Sequence, residues 1–253
     1  MLTFTSCKKA TPESLTIATA ANMQFVMTEL VETFKSTYGI KVQLVMGSSG
    51  LLSAQIQNKA PYDAFVAANM KYPMHLHSLN LTLDTPSIYA YGQLVLWSKS
   101  GDVPERLNQL QMATYQHIAL ANPELAPYGM AAREALENSG LYQQLEDRLV
   151  YGESIAQVNQ FIFSEAAQIG FTAKSVVLSN RLKAIGQWID VPKQLYTPIS
   201  QGIVLLKNRP DFQQEAALFR KFLFSDKGKE ILNKYGYQQR ADAAEDVSPK
   251  MND

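Results

Sequence analysis

Leu15-Thr16-Ile17-Ala18-Thr19-Ala20-Ala21-Asn22-Met23 decides the reading of the fold. A short run rich in β-branched residues ends in small and polar ones. Phe25, Val26, Leu30, Val31 and Phe34 then keep helical spacing as far as Tyr38, and Gly39 closes the helix as a C-cap. The chain returns to this succession of strand, small polar junction and helix. Residues 41–46 read as the next strand, and Gly47-Ser48-Ser49-Gly50 opens a helix reaching residue 58. Pro61-Tyr62-Asp63 leads into the apolar strand Ala64-Phe65-Val66-Ala67, followed by a helix over 71–79. A second round places strands at 94–97, 117–121, 149–150, 169–172 and 185–191, with helices over 128–138 and 154–163. A long apolar strand at 199–206 and two helices, 211–224 and 226–235, precede a polar tail.

Such alternation predicts an α/β protein with mostly parallel sheets covered by helices. Two rounds predict two lobes with a ligand cleft between them. Residues 15–90 with 196–253 would form a discontinuous first lobe, and 91–195 the second. Residues 89–93 and 196–201 would be the crossings, with Tyr89 and Tyr91 at the hinge. Residues 1–14 read as an N-terminal tether. Within it Phe4-Thr5-Ser6-Cys7 resembles a bacterial lipobox, which would place a lipid on Cys7, the sole cysteine. One cysteine permits no internal disulfide.

The 253 residues carry 23 basic and 23 acidic side chains. That balance gives no basic excess for nucleic acid. No run approaches the ~18 consecutive apolar residues of a membrane span. An anionic ligand would have to be held by local dipoles rather than by bulk charge.

The chemistry is concentrated where strands give way to helices, which is where open α/β sheets bind ligands. Those junctions are Ala20-Ala21-Asn22, Gly47-Ser48-Ser49-Gly50, Ala67-Ala68-Asn69, Asn122-Pro123 through Tyr128-Gly129, and Gly152-Glu153-Ser154-Ile155. Helix starts present unpaired N–H groups and partial positive charge. Several converging on one point would hold an anion without a cationic side chain. Small residues let the backbone approach, and serine hydroxyls rotate toward the nearest oxygen. Taken singly, each junction is also an ordinary helix cap; the weight lies in several sharing this character.

Other constellations carry less. Ser48 and Ser49 lack a Gly-x-Ser-x-Gly elbow and an adjacent histidine base, so a serine-dependent hydrolase is the weaker rival. No phosphate-binding Walker loop or dinucleotide fingerprint occurs. His75 and His77, two apart on a helix, do not face each other, and His117 is distant. Met23, Met27, Met46, Met70 and Met74 read as packing. Arg133, one turn past Tyr128, reads as a surface pair. No junction offers the arginine clamp that carboxylate ligands call for.

Four stretches together resemble the periplasmic molybdate-binding proteins of ABC transporters. They are Ile17-Ala18-Thr19-Ala20-Ala21-Asn22-Met23, Gly47-Ser48-Ser49-Gly50-Leu51-Leu52, residues 60–69, and Asn122-Pro123-Glu124 with Pro127-Tyr128-Gly129. Order, spacing and the ending from Gly228-Lys229 to Tyr235-Gly236-Tyr237 agree, so the likeness spans residues 15–237. It implies a type II periplasmic-binding-protein fold, two lobes joined by a hinge. It implies capture of molybdate or tungstate by neutral donors, with molybdenum bound as its oxyanion and no cofactor. It also implies a monomer outside the cytoplasm that delivers its ligand to an ABC permease. Carried onto this chain, the donors are Ala21, Asn22, Ser48, Ser49, the Ala68 N–H, Tyr128 and the Ile155 N–H. One departure is Ala173, where some members place a ligand-binding tyrosine; Tyr128 is the natural substitute. A ring of donors fitted to molybdate would leave the smaller sulfate under-coordinated. A binding protein for sulfate, phosphate or another oxyanion is the alternative within the same class.

Overall fold

The computed structural model describes residues 14–239. The tether, Cys7 and the tail after Gln239 lie outside the described residues. The first sheet has the strand order β2-β1-β3-β10-β4. Its strands are β1 (Leu15–Ala20), β2 (Val42–Gly47), β3 (Ala64–Ala67), β4 (Ser87–Gly92) and β10 (Ile199–Leu205). Helices α1 (Gln24–Tyr38), α2 (Ser49–Gln57) and α3 (Lys71–Ser78) follow the first three strands, and α8 (Gln213–Leu223) and α9 (Asp226–Lys234) follow β10.

The second sheet has the order β7-β6-β8-β5-β9. It contains β5 (Leu94–Ser98), β6 (Ile118–Ala121), β7 (Leu149–Gly152), β8 (Ile169–Ala173) and β9 (Gln187–Asp190). Its helices are α4 (Pro127–Asn138), α5 (Tyr142–Leu145), α6 (Ile155–Phe163) and α7 (Lys174–Val177).

Each sheet has one strand running against the other four. In the first it is β10, antiparallel to β3 and β4. In the second it is β5, antiparallel to β8 and β9. These are the two strands by which the chain enters each sheet after crossing from the other. The remaining neighbours pair in parallel. This is the expected two-sheet α/β arrangement.

Strand composition follows from burial on both faces. On β1 and β3, Leu15, Ile17, Ala64 and Val66 meet Met27, Leu30, Phe34 and Phe219. The alternate residues Ala18, Phe65 and Ala67 meet Leu52, Ile56 and Leu76. Period-two alternation with helices on both sides demands apolar residues throughout. Gly39 ends α1 with φ 72 and donates its N–H to Lys35 O at 2.9 Å. That left-handed backbone is the C-cap its glycine foretells.

One charged pair is buried in the first sheet. Arg209 Nη1 meets Asp63 Oδ2 at 2.9 Å and donates to Thr16 Oγ1 at 2.8 Å. The Thr16 N–H donates to the same Asp63 oxygen at 2.6 Å. Burial pushes the Asp63 carboxyl up to about 6, against the opposing pull of the Thr16 amide and Arg209.

Three local expectations are revised. Residues 87–92 form an edge strand, so Tyr91 and Gly92 pair with Ser200 and Ile199 in the first sheet rather than opening the second lobe. The first crossing narrows to Gln93, and the return expected over 196–201 ends where β10 begins at Ile199. The helix expected from Asn22 starts as a 3-10 turn, Ala21–Met23. The strand expected from 185 begins only at Gln187. Gly186 has φ 70, and a side chain there would run into Ser98 O, so the backbone turns before it extends.

Candidate functional site

Every oxyanion-site residue named from the sequence reaches one cleft. Ala21, Asn22, Ser48, Ser49, Ala68, Tyr128 and Ile155 line it together with Ala20, Gly47, Ala126 and Pro127. The residues come from both sheets. Four helical starts and the end of β3 converge there. Ser49, Tyr128 and Ile155 occupy the first turns of α2, α4 and α6, where a backbone N–H has no carbonyl one turn back to bond. Pro127 at the start of α4 has no N–H, which leaves Tyr128 as that helix's first donor.

No lysine or arginine lines the cleft. Arg133 faces elsewhere, bonding Glu137 at 2.7 Å. Among the described residues no group of His, Cys, Asp and Glu is arranged to hold a metal ion. His77 Nδ1 lies 2.7 Å from Thr82 Oγ1.

The side chains divide the labour. Ser48 is the N-cap of α2; its Oγ accepts the Leu51 N–H at 3.4 Å. Ser49 Oγ accepts the Ala68 N–H at 3.0 Å, so its own proton remains available to a ligand. In this geometry the Ala68 N–H positions Ser49 and is not itself turned to the cleft. The Asn22 amide is likewise engaged. Its Nδ2 donates to Gln201 Oε1 at 3.0 Å and to Tyr237 Oη at 2.7 Å. With its carbonyl taken by Ser175, only the backbone N–H of Asn22 is left for the cleft.

Under the cleft lies a buried polar layer that sequence reading missed. Ser175 Oγ donates to Asn22 O at 2.8 Å, and Tyr237 Oη reaches Ser175 Oγ at 3.2 Å. Tyr89 Oη approaches Gln201 Oε1 at 3.4 Å. Burial drives the Tyr89 and Tyr128 hydroxyls well above the ordinary tyrosine range and Tyr237 up to about 12, so all three keep their protons near neutrality. The Tyr128 Oη has the Tyr237 hydroxyl as its neighbour and makes no close hydrogen bond among the described residues. It lies against Gly92, where any β-carbon would stand 2.1 Å from it. Ala173 ends β8 and is absent from the cleft lining.

The cleft is narrow, with about 10 Å3 of free space. A larger cavity of about 430 Å3 lies at the crossings between the sheets. It is lined by Gln93, Lys174, Asp190, Val191, Pro192, Lys193, Tyr196 and Gln238, and it shares no residue with the converging helix starts. Volume alone would favour it; the donor chemistry lies in the smaller space.

Two α/β sheets closing on an uncharged ring of backbone and hydroxyl donors define a solute-binding protein of the two-lobed kind. The chain belongs to the bacterial extracellular solute-binding protein family, whose model matches residues 15–238. It is 37% identical over 223 residues to the molybdate-binding protein ModA of Azotobacter vinelandii, covering 87% of this chain and 88% of that one. To ModA of Rhodobacter capsulatus it is 34% identical over 221 residues, covering 87% and 86%. The solved periplasmic molybdate-binding protein of Azotobacter vinelandii superposes with a TM-score of 0.85 at 31% identity. That match covers 90% of this chain and 100% of the other.

Proposed function

We propose that this protein is the extracytoplasmic binding component of an ABC importer and captures molybdate in the cleft. One observation carries the reading: helix starts from both sheets converge on a space with no cationic side chain. A compact dianion offers acceptor oxygens in several directions. Backbone N–H groups at Ala21, Asn22, Ser49, Tyr128 and Ile155, with the Ser49 hydroxyl, supply neutral donors from several directions. Helix-end dipoles add partial positive charge.

Residues 15–92 with 199–239, and 94–190, act as the two lobes, hinged at Gln93 and 191–198. Tungstate is held by the same donors. The chain acts as a monomer, without catalysis or cofactor, and hands its ligand to the permease. Lipid on Cys7 would tether it to the membrane. Titration with molybdate and with sulfate, followed by Trp97 and Trp188 fluorescence, tests the assignment. Saturable molybdate binding with a much weaker sulfate response is expected. Equal responses would overturn size selection in favour of a general oxyanion binder. No response to either would remove the oxyanion reading.

A further inference from the structure

Gly50 closes the Gly47-Ser48-Ser49-Gly50 motif but does not line the cleft. Its N–H donates across the lobes to Leu125 O at 2.9 Å. One residue earlier on the same loop, Glu124 O accepts the Tyr72 hydroxyl at 2.8 Å. Tyr72 belongs to α3, beside α2. Two neighbouring helices of the first sheet thus hold two successive carbonyls of the second.

The accepting loop is prepared for this. Asn122 Oδ1 takes the Glu124 N–H at 2.9 Å, and Asn122 O takes the N–H groups of Leu125 and Ala126 at 3.1 and 2.8 Å. The Asn122 N–H is anchored on Gly152 O at 2.7 Å. With its amides turned inward, the loop presents the Glu124 and Leu125 carbonyls outward. Space is also fitted. A β-carbon at position 50 would lie 2.9 Å from Tyr72 Oη and 3.0 Å from both Leu125 Cα and Leu125 O. The Gly50 amide is one of the α2 first-turn groups with no partner inside its own helix. Closure gives it one, while Ser49, its neighbour, faces the cleft.

We infer that Gly50 and Tyr72, acting on the Glu124-Leu125 carbonyls, form a latch that holds the lobes shut over the ligand and sets its rate of release. They are positioning residues that touch no ligand. The latch rests on the cleft being the binding site, but its geometry can be tested without ligand.

Stopped-flow fluorescence with molybdate should show faster release from Tyr72→Phe, by about 3–10-fold for one lost hydrogen bond, with little change in association. Gly50→Ala should release faster still, because its methyl also holds the loop away. Small-angle scattering of the ligand-free proteins should show a more open average shape for both variants. Thermal melts confirm that each variant folds, and Tyr72→Phe, which adds no atoms, guards against a packing artefact in Gly50→Ala. Wild-type release rates and wild-type scattering in both variants would overturn the latch. A wild-type protein that ignores molybdate would instead overturn the binding assignment, and the scattering comparison would still decide the latch.

Discussion

Asp63 and Arg209 bury a formal charge pair at 2.9 Å in the first sheet, whereas the cleft between the sheets buries no charged side chain at all. The difference follows from what each must do. The pair is complete in every folded molecule. At neutral pH each charge has its partner, and Thr16 supplies further hydrogen bonds from its amide and hydroxyl. The cleft must stand empty until a ligand arrives. A bare lysine or arginine there would carry a desolvation penalty in the unliganded state, while amides and hydroxyls at helix starts are far less costly to leave waiting. Permanent charge suits a lock, and neutral dipoles suit a site that is vacated and refilled.

The largest effect should come from breaking the lock. Asp63→Ala leaves Arg209 without its counter-charge and should lower unfolding free energy by about 3–5 kcal/mol. Urea denaturation measures this, and molybdate affinity of the folded fraction should not change. If the variant loses less than about 1 kcal/mol, the pair is not a lock and the contrast fails.

Next is Ser49→Ala, which removes one hydroxyl donor to a charged ligand. Calorimetry should find molybdate binding weaker by about 1–2 kcal/mol. Unchanged affinity would return Ser49 to a purely structural role, holding the Ala68 amide.

Tyr128→Phe sharpens the comparison on the side of the cleft. Its hydroxyl is buried beside that of Tyr237 and makes no close hydrogen bond among the described residues. Deleting it should raise the stability of ligand-free protein by about 1 kcal/mol. A lower melting temperature in the variant would mean the hydroxyl is satisfied after all.

The effects of pH separate the two regions. Asp63 holds its proton to about pH 6 in the folded chain, whereas an unfolded aspartate loses it near 3.9. The folded state therefore binds more protons between these values. The stability contributed by this group is fullest below about pH 4 and is lost as pH rises through 6. The gap in melting temperature between wild type and Asp63→Asn should change across that window and level off above about pH 7. Molybdate affinity should stay flat between about pH 7 and 9, because burial keeps Tyr128 and Tyr237 protonated there. A gap that is constant from pH 4 to 7, or an affinity that titrates between 7 and 9, would each contradict the assignment of charge to one region and neutrality to the other.

How legible each part was depends on how far its contacts reach along the chain. Helix starts are local events, so Ser48 as the cap of α2 and Gly39 as the stop of α1 could be read directly. Ala21, Asn22, Ser49, Tyr128 and Ile155 lie at such starts, which is why these cleft residues could be named before the shape of the cleft was known. The edge strand β4 escaped because its mix of tyrosines and small residues reads as a link, and only pairing with β10 makes it a strand. The layer under the cleft escaped for a related reason. Asn22 finds its amide partners 179 and 215 residues away, at Gln201 and Tyr237.

By itself, then, the order of residues determined the alternation of strands and helices, the caps, and the placing of small donor-bearing residues at each junction. These depend on periodicity and on hydrogen bonds within a few residues. Tertiary structure alone decided that the junctions meet, that the Asn22 amide turns inward while Ser49 faces the cleft, and that Gly50 bonds Leu125. Those outcomes depend on which distant groups packing brings within 3 Å, and no local pattern encodes that.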